Sequence, residues 1–374
     1  MKEPRIKIGY CIDTFNVGGT ELNAIRTAEA LDRDRFELIV FHLQESGPLR
    51  ARYEALGVEL HHLPLRGFVS ASALSQGVRF VRMLQKSRVD IVHSHDVYTN
   101  IFAGCWAGTF TSCRIIESRR WWLEVPRPGL AAVNRWTYRR ADRVLANSAA
   151  VARLLQTVEG VPAGKVVEIP NFVDDAAFAP PPAGDVARQR RAWGIPQGAF
   201  VVGIVARLAP VKNHEMLIRA IARCGTDVHA VLVGSGPSEA ALRGLVAELG
   251  VVDRVHFAGE IRSQTNLHGF FDVSVLCSRS EGFPNSLIEA MALANAVVAT
   301  PVGGVLDVLE HDRTGKLVPV NDFDQLAQAL RALESDSELR QSLGKTARAL
   351  VSSRYRRQAV IERLSTLYCA LARP

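Results

Sequence analysis

The stretch FVVGIVARLAPVKNHEMLIRAIARCGTDVHAVLVG (residues 200–234) places two short apolar runs around a segment with helical spacing. The runs are FVVGIVAR (200–207) and VHAVLVG (228–234), and the helical spacing covers about 213–224. Near-continuous apolar runs of this length are typical of strands that are buried on both faces. A strand, a helix and a second strand in this order predict one unit of a parallel sheet covered by helices.

The same alternation extends through the whole chain. The other candidate strands are 6–12, 36–41, 58–63, 90–95, 113–118, 143–148, 165–169, 254–260, 273–278, 296–300 and 315–320. The other candidate helices are 20–31, 73–87, 149–156, 237–249, 285–294, 322–333, 338–351 and about 355–372. Pro and Gly crowd together in NFVDDAAFAPPPAGD (171–185), which predicts a linker. We therefore predict an α/β protein of two doubly wound domains with a cleft between them.

Length and composition agree with a two-domain globular protein. The chain has 374 residues, of which 48% are hydrophobic and 22% charged. Its start has no long apolar stretch, and no run approaches the roughly 18 to 20 apolar residues that span a bilayer. Six cysteines without a C-x-x-C pair indicate reduced thiols and not a zinc site or a disulfide framework. We expect a cytoplasmic protein.

A basic, aromatic segment lies between residues 114 and 143. It contains eight arginines and three acidic residues, hence a local charge of +5, together with Trp121, Trp122, Trp136 and Tyr138. Arginine with tryptophan and tyrosine suits an anionic membrane surface. The same composition could bind nucleic acid, or could be a solvated basic face with two or three core tryptophans. We favour peripheral contact with an anionic membrane and expect no nucleic-acid partner.

Two glycine motifs follow candidate strands. In NVGGTE (16–21), Gly18 and Gly19 remove side chains where a phosphate could approach, and Thr20 could cap the next helix. In GSGPSEAAL (234–242), Gly234 and Gly236 give G-x-G without the third glycine of a dinucleotide fingerprint. A backbone contact to a nucleotide and a simple tight turn are both open for each motif.

Charged and histidine side chains stand at two further strand ends. His93 and His95 in DIVHSHD are two residues apart, hence on one face of a strand, and His95 lies nearer its end. Arg207 and Lys212 in VARLAPVKNHE could both reach one diphosphate, and a solvated surface pair is the alternative. No acidic or cysteine residue stands at a recognisable metal-ligand spacing from the two histidines. We therefore prefer a hydrogen-bonding role for His95 to a metal site.

Neither D-x-D pair is expected to hold a metal ion. DRD (32–34) lies before a strand, at the wrong end of the sheet, and DFD (322–324) is placed to cap a helix. We therefore predict that the protein needs no metal and no bound cofactor.

EGFPNSLIEAMA (281–292) places Glu281 in a loop and Glu289 about one turn into the following helix. Asn285 or Ser286 could cap that helix, and its first amides, through Leu287, would face a diphosphate. A carboxylate is repelled by phosphate, so Glu289 should accept from ribose hydroxyls and Glu281 from hydroxyls beyond the phosphates. The spacing of the two glutamates fits the two ends of a nucleotide sugar. The glycine turn in PVGGVLDVL (301–309) should support the same pocket.

These motifs resemble those of retaining family 4 glycosyltransferases of the GT-B fold. The resemblance includes GGTE, HSH and ANSAAVARLL…KVVEIPNFVD and extends from about residue 8 to 335. The resemblance implies an acceptor-binding domain over 1–172 and a donor-binding domain over 173–355. It also implies that the tail, about 356–374, crosses back onto the first domain. The family often has Pro-Asn-Gly where this chain has Pro170-Asn171-Phe172. A backbone role of that glycine is therefore not expected in this chain.

The resemblance assigns roles to the candidate residues. It places Glu289 on the ribose, Glu281 on the sugar, and Arg207 with Lys212 on the diphosphate. It brings Gly18 and Gly19 to the phosphate or sugar and His95 to the 6-hydroxyl of the donor sugar. It implies no metal and same-face attack, in which the departing phosphate helps to take the proton of the acceptor.

The expected function is therefore retaining transfer, as a hexosyltransferase, from a nucleotide-diphosphate sugar to an acceptor. UDP-sugar is favoured and GDP-sugar is possible. The acceptor is a glycan or a lipid-linked molecule in cell-surface polysaccharide or glycolipid synthesis. Two alternatives stay open: another GT-B enzyme such as a nucleotide-sugar epimerase, and a non-catalytic nucleotide- or glycan-binding relative.

Overall fold

The computed structural model describes residues 4–121, 128–261 and 266–372, with the side chain of Pro128 left out. The chain divides into two compact units. The first unit comprises Met1–Asn171 and Gln358–Pro374, and the second comprises Phe172–Arg357.

A seven-stranded parallel sheet forms the centre of the first unit. Its strands are Ile6–Ile12 (β1), Phe36–His42 (β2), Glu59–His62 (β3), Ile91–Ser94 (β4), Arg114–Arg119 (β5), Arg143–Ala146 (β6) and Val166–Glu168 (β7). Their spatial order is β3-β2-β1-β4-β5-β6-β7, so the direction of strand addition reverses between β1 and β4. Ligands of doubly wound sheets bind beyond the carboxyl ends of strands at such a reversal.

In the described part of this unit, six helices connect these strands. They are Gly19–Ala30 (α1), Arg50–Ala55 (α2), Ala71–Ser87 (α3), Val97–Phe110 (α4), Pro128–Arg140 (α5) and Ala149–Thr157 (α6), with a short 3₁₀ turn at Ala163–Lys165. One apolar core joins alternate strand residues such as Cys11, Ile39 and Val92 to Phe80 of α3 and Phe102 of α4. Burial of these side chains fixes the helices on the sheet.

The second unit repeats the design with six parallel strands. These are Phe200–Val205 (β8), Val228–Val233 (β9), Val255–Gly259 (β10), Val273–Leu276 (β11), Ala296–Ala299 (β12) and Lys316–Leu317 (β13), in the order β10-β9-β8-β11-β12-β13. The helices are Ala183–Ala192 (α7), His214–Ile221 (α8), Glu239–Glu248 (α9), Asn285–Ala292 (α10), Val305–Val308 (α11), Phe323–Ser335 (α12) and Ser337–Arg354 (α13). The 3₁₀ turns are Asp175–Phe178, Pro210–Lys212 and Leu267–Phe270.

Both faces of this second sheet are buried. Val202 and Ile204 of β8 face one apolar core, and Val201 of the same strand belongs to another. A strand with apolar neighbours on both faces needs hydrophobic residues in succession, which explains the continuous apolar runs in the sequence.

The last helix, Arg357–Ala372 (α14), belongs mainly to the first unit. Its Tyr368 is fully buried, and the ring packs edge-on against Phe36 of β2. No helix of the described residues is long and apolar enough to cross a membrane.

Every candidate strand coincides with an observed strand, whereas several helices were not predicted. Helix α4 is largely buried, so its sequence VYTNIFAGCWAGTF lacks a polar stripe. Helix α5 lies in the basic, aromatic segment, and α7 begins inside the predicted linker. The prediction that Thr20 caps α1 is wrong, since the N-cap is Gly18 and Thr20 lies inside the helix.

Candidate active site

Four segments meet at the carboxyl ends of β8, β11 and β12 in the second unit. They are the loop that carries Arg207, the turn Pro210–Lys212, the loop from Cys277 to Pro284 and the turn from Thr300 to Gly304. The candidate donor residues Arg207, Lys212 and Glu281 all lie in these segments.

An ion pair joins two of the predicted residues. The Lys212 ammonium donates to Glu281 Oε1 at 2.6 Å, and the hydroxyl of Ser278 donates to the same oxygen at 2.6 Å. The Glu281 side chain is only 8% exposed and that of Lys212 is 26% exposed. No described residue donates a hydrogen bond to Glu281 Oε2, so this oxygen can accept from a ligand hydroxyl.

Arg279 fixes the two loops relative to each other. Its amide donates to the carbonyl of Val211 at 2.8 Å, and its guanidinium reaches the carbonyl of Pro210 and the side chain of Asn321, each at 3.3 Å. Asn321 also accepts from Asn213, which has the left-handed φ of 54°. No sequence motif marked Arg279 or Asn321, because their contacts bridge 42 to 108 residues of chain.

The turn after β12 holds Glu281 from the other side. Gly303 has φ +48°, and a Cβ atom at this position would lie 1.9 Å from the carbonyl oxygen of Glu281. The amide of Gly304 donates to that oxygen at 3.2 Å. Only glycine permits this approach, so PVGG fixes the backbone of the loop that carries Glu281.

Helix α10 begins differently from the prediction. The N-cap is Pro284, so Asn285 and Ser286 lie in the first turn and neither caps it. The Ser286 hydroxyl instead pairs with Nε2 of His268, at 3.2 Å. Burial lowers the pKa of His268 to about 3, so the ring is neutral and orients Ser286 without adding charge.

Fewer backbone amides at the start of α10 can donate to a ligand than the sequence predicted. The amide of Leu287 already donates to the carbonyl of Pro284 at 3.1 Å, and the Leu287 side chain is buried in the core. Asn285 donates to Phe283, whereas the Ser286 amide has no partner within residues 4–121, 128–261 and 266–372. Ser286 therefore supplies the one open amide of this turn in the described chain.

Arg207 and Glu289 flank this arrangement. Arg207 is exposed after β8 and forms no ion pair with any described residue. Glu289 is half-buried on the second turn of α10. The Arg207 side chain is therefore accessible to a ligand, and that of Glu289 is partly exposed.

Gly234 and Gly236 have a packing role. A Cβ atom on Gly234 would lie 2.1 Å from the carbonyl oxygen of Ala206, and one on Gly236 would lie 2.4 Å from that of Leu208. The two glycines thus let the loop after β9 pack closely on the loop that holds Arg207. This contact accounts for both glycines without a ligand.

In the first unit, His95 stands just beyond the end of β4, next to the reversal of strand order. The side chain is 1% exposed, yet neither ring nitrogen has a hydrogen-bond partner within the described residues. Its ring lies 4.0 Å from that of Tyr10 and 4.1 Å from that of His93, centroid to centroid. Burial, His93 and Arg120 together hold the pKa of His95 well below its usual value, so the ring is neutral.

His93 is satisfied where His95 is not. Its Nδ1 lies 2.6 Å from the hydroxyl of Tyr368 and its Nε2 lies 2.8 Å from the hydroxyl of Ser118. The two histidines share a face, as predicted, but His93 has a structural environment. Buried polar atoms are nearly always paired in proteins, so His95, with two unpaired nitrogens, is the better candidate of the two histidines for contact with a ligand.

Asp96 fixes the loop that carries His95. Its carboxylate accepts from the amides of Tyr98 and Thr99, and the Thr99 hydroxyl completes a capping box at the start of α4. The other carboxylate oxygen accepts from the amide of Asp13 at 3.0 Å. Burial, followed by the charge of Asp13, raises the pKa of Asp96 to about 7.

Glu21 covers the first glycine motif. A Cβ atom on Gly18 would lie 2.3 Å from Glu21 Oε2, while Gly19 is exposed at the first position of α1. A carboxylate above the helix start competes with any phosphate for the same amides.

Two family models match this chain, one over each half. Residues 17–177 match the model for glycosyltransferase family 4, and residues 185–350 match the model for glycosyl transferases group 1. The chain is a family 4 glycosyltransferase of the GT-B fold.

Curated relatives of this glycosyltransferase cover most of its length. It is 27% identical over 303 residues to the N-acetyl-alpha-D-glucosaminyl L-malate synthase of Bacillus anthracis, which covers 79% of this chain and 78% of the relative. It is 28% identical over 369 residues to the D-inositol 3-phosphate glycosyltransferase of Kribbella flavida, with coverages of 89% and 86%.

Solved structures share the fold at low identity. The Anabaena protein HepE, in complex with UDP, matches 98% of this glycosyltransferase and 100% of its own chain, with a TM-score of 0.87 and 22% identity. WaaG, a glycosyltransferase involved in lipopolysaccharide biosynthesis, has a TM-score of 0.75 and 16% identity, with coverages of 96% and 99%. Two Rossmann-like domains of the GT-B type are therefore established.

The basic, aromatic segment is less exposed than predicted. Arg119 is fully buried on β5, 3.6 Å from Glu159, and the Arg120 guanidinium donates to Asn171 at 3.0 Å. Tyr138 is buried, whereas Trp136 is 43% exposed and stacks with Arg140. Trp122 lies outside the described residues. Arg119 thus faces the protein interior and Arg120 is half-buried, so the arginines of this segment do not form one exposed surface.

The contact between Tyr368 and His93 gives a stability prediction. Tyr368→Phe removes the hydroxyl and leaves His93 Nδ1 buried without a partner. We expect the free energy of unfolding to fall by about 1–3 kcal/mol. Urea denaturation of both proteins measures the difference. Tyr98→Phe is the matched control, since Tyr98 is 44% exposed, and an equal loss in both variants would contradict a specific role for Tyr368.

Proposed function

We propose that this chain transfers a hexose, with retention at the anomeric carbon, from a nucleotide-diphosphate sugar to a glycan or lipid-linked acceptor. The donor binds the second unit, and UDP-sugar is favoured over GDP-sugar. The Anabaena neighbour is a complex with UDP, which supports this choice of base.

One observation carries the proposal: the nearly buried pair of Lys212 and Glu281 at the carboxyl edge of the sheet. The pair brings a cation for the diphosphate within 2.6 Å of a carboxylate whose second oxygen accepts no hydrogen bond from the described residues. The ammonium also neutralises Glu281, so a carboxylate can lie beside a diphosphate without strong repulsion. A cation and an adjacent acceptor suit the junction between diphosphate and sugar.

The chemistry assigned to this site is stabilisation of a leaving group. As the bond from sugar to phosphate breaks, negative charge grows on the departing diphosphate. Arg207, Lys212 and the open amide of Ser286 would meet that charge, and such preorganised donors make a large contribution to many reactions. The acceptor oxygen attacks on the same face, and the departing phosphate takes the proton from the acceptor.

Each unit supplies one candidate for binding a sugar: Glu281 in the second unit and His95 in the first. Glu281 Oε2 accepts from sugar hydroxyls, and the neutral His95 ring can donate from one nitrogen and accept at the other. Glu289 accepts from the ribose. At Gly18 and Gly19 we assign sugar hydroxyls in preference to phosphate, because Glu21 lies above Gly18.

A donor panel tests the proposal. The purified chain is incubated with UDP- and GDP-sugars, and thermal stabilisation and slow hydrolysis of each are recorded. We expect stabilisation by UDP and hydrolysis of at least one UDP-sugar. Conversion of the donor to its epimer would favour an epimerase. Binding without any turnover, with and without acceptors, would favour a non-catalytic relative.

Catalysis is expected to be independent of metal ions and of any cofactor. Asp322 accepts from the amide of Gln325 at 2.8 Å and caps α12, and the other D-x-D pair precedes β2. The 322–324 pair follows β13 at the carboxyl edge of its sheet, but Asp322 caps α12 and Asp324 forms an ion pair with Arg223, so both carboxylates already have protein partners. Donor hydrolysis should therefore be unchanged by excess EDTA. An activity lost in EDTA and restored by magnesium or manganese would overturn this prediction.

Contact with the inner face of the cell membrane is proposed through the exposed side of α5. This surface contains Val133, Trp136, Arg139 and Arg140. Each arginine near anionic lipid contributes about 1 kcal/mol, and salt weakens the attraction. We expect binding to phosphatidylglycerol liposomes that falls with salt and that drops in the triple variant Trp136→Ala/Arg139→Gln/Arg140→Gln.

The matched control for this prediction replaces arginines on another helix. Arg79→Gln/Arg82→Gln removes two charges from the exposed surface of α3 in the same unit. Sedimentation of the wild type with neutral and anionic liposomes alike, or none with either at low salt, would count against membrane contact.

A further inference from the structure

Arg120 is a half-buried cation without a carboxylate. It follows β5, and its Nε is buried with no hydrogen-bond partner within the described residues. Among the described residues, the guanidinium has one hydrogen bond, to the neutral side chain of Asn171 at 3.0 Å. In the part of the chain that the structure describes, no Asp or Glu forms an ion pair with Arg120. A charge held away from water in this way normally has a counter-ion.

The electrostatic surroundings of Arg120 agree with that reading. Burial lowers its pKa, and the groups that act in the opposite direction are the hydroxyls of Tyr10 and Tyr368. The positive charge in turn lowers the pKa of both His93 and His95. Arg120 therefore sets a positive potential where β4 and β5 end.

Further unpaired polar atoms lie along the same edge. Asn147, at the end of β6, donates to the carbonyl of Arg120 at 3.1 Å, and its Oδ1 is buried without a partner in the described chain. His95, at the end of β4, contributes two more unpaired atoms. The strands β4, β5 and β6 are adjacent in the sheet. They are followed by the imidazole of His95, the guanidinium of Arg120 and the amide oxygen of Asn147, respectively.

The geometry points to an anion site at Arg120, and we infer that the acceptor of this enzyme carries a phosphate or carboxylate group beside its hydroxyls. The guanidinium would bind the anionic oxygens, and Asn147 Oδ1 would accept from a neighbouring hydroxyl of the same molecule. The carboxylates of Asp13 and Glu21 lie toward the β1 side, which would repel an anion placed there. This inference rests on the proposed function for its identification of the ligand as the acceptor.

Paired probes test the inference by calorimetry in the presence of saturating UDP. Glucose 6-phosphate and glucose share their hydroxyls and differ by one phosphate. We expect the wild type to bind the phosphorylated probe at least about tenfold more tightly, and Arg120→Gln to lose about tenfold to a hundredfold of that affinity. Arg82→Gln, with the same charge change on α3, should match the wild type.

A second arm identifies the source of the anionic group. Vesicles of phosphatidylcholine with and without phosphatidylinositol present the phosphate at a lipid surface. Arg120-dependent binding of glucose 6-phosphate indicates a soluble acceptor, and Arg120-dependent binding of the anionic vesicles alone indicates a lipid-linked one. Either result supports the site. A wild type with no preference in either arm, or a preference that Arg120→Gln retains, overturns it.

Two further measurements distinguish an acceptor site at Arg120 from a donor site and from a folding defect of the variant. UDP affinity should change less than about twofold in Arg120→Gln, and a larger loss would assign the arginine to the donor diphosphate and overturn the acceptor site. Arg120→Lys keeps the charge and should retain part of the preference if the glutamine variant fails to fold. Failure of the wild type to bind UDP at all would refute the proposed function, whereas the probe pair still reports on Arg120.

Discussion

Lys212→Ala is expected to lower donor turnover by about a hundredfold to a thousandfold, a loss typical of removing a donor to developing negative charge. The substitution removes a cation from the diphosphate. It also leaves the carboxylate of Glu281, 8% exposed, without its ion-pair partner and facing the same anion. UDP affinity should therefore fall by about one to two decades, as expected for loss of a charge-assisted contact. Hydrolysis rates and calorimetry with UDP measure the two effects.

A double variant tests the physical reason. Lys212→Ala/Glu281→Gln removes the stranded carboxylate, so it should recover part of the lost UDP affinity but none of the turnover. Lys345→Ala, an exposed lysine on α13, should behave as the wild type. If the single variant Lys212→Ala binds UDP as the wild type does, Lys212 is not at the diphosphate.

His95→Ala is expected to lower turnover by about tenfold to a hundredfold while UDP affinity stays within about twofold. The two unpaired ring nitrogens are proposed to bind the sugar, and the loss of a hydrogen bond in a buried site is worth about 1–3 kcal/mol. Steady-state hydrolysis of a UDP-sugar and calorimetry with UDP separate the two quantities.

Two further variants sharpen the histidine test. His95→Gln retains one donor and one acceptor and should restore part of the rate. His61→Ala, on the edge strand β3, should leave both quantities unchanged. Equal losses of turnover and UDP affinity in His95→Ala would show that the ring does not act on the sugar.

The sheets and the family could be predicted from the sequence because their signals are local. A strand buried on both faces must be apolar in succession, and a strand-helix-strand order leaves few topologies. Helix α4 escaped because burial on all sides removes the polar stripe by which helices are recognised.

Contacts distant in sequence were not predictable. Glu281 and Lys212 were both selected as ligand residues, but nothing in their motifs indicated that they pair with each other across 69 residues. Arg279 holds their loops together through a residue at position 321, which no local pattern reveals. The end of α10 nearest the site was misjudged because the hydroxyl of Ser286 bonds to His268, 18 residues earlier.

The basic, aromatic segment shows the limit of composition. Its charge and its tryptophans suggested one continuous surface. In the structure, Arg119 of β5 is buried, whereas Trp136 of α5 is exposed. Composition reports how many charges a segment has, and only the fold determines which of them reach solvent.

Proton NMR of the released sugar shows whether the enzyme retains the configuration of the anomeric carbon of a UDP-sugar. A UDP-α-sugar that the wild type hydrolyses is followed from the first minutes, before the free sugar mutarotates. We expect the α-anomer to appear first, and Lys212→Ala and His95→Ala to slow its appearance without changing the anomer. Initial release of the β-anomer would contradict retention.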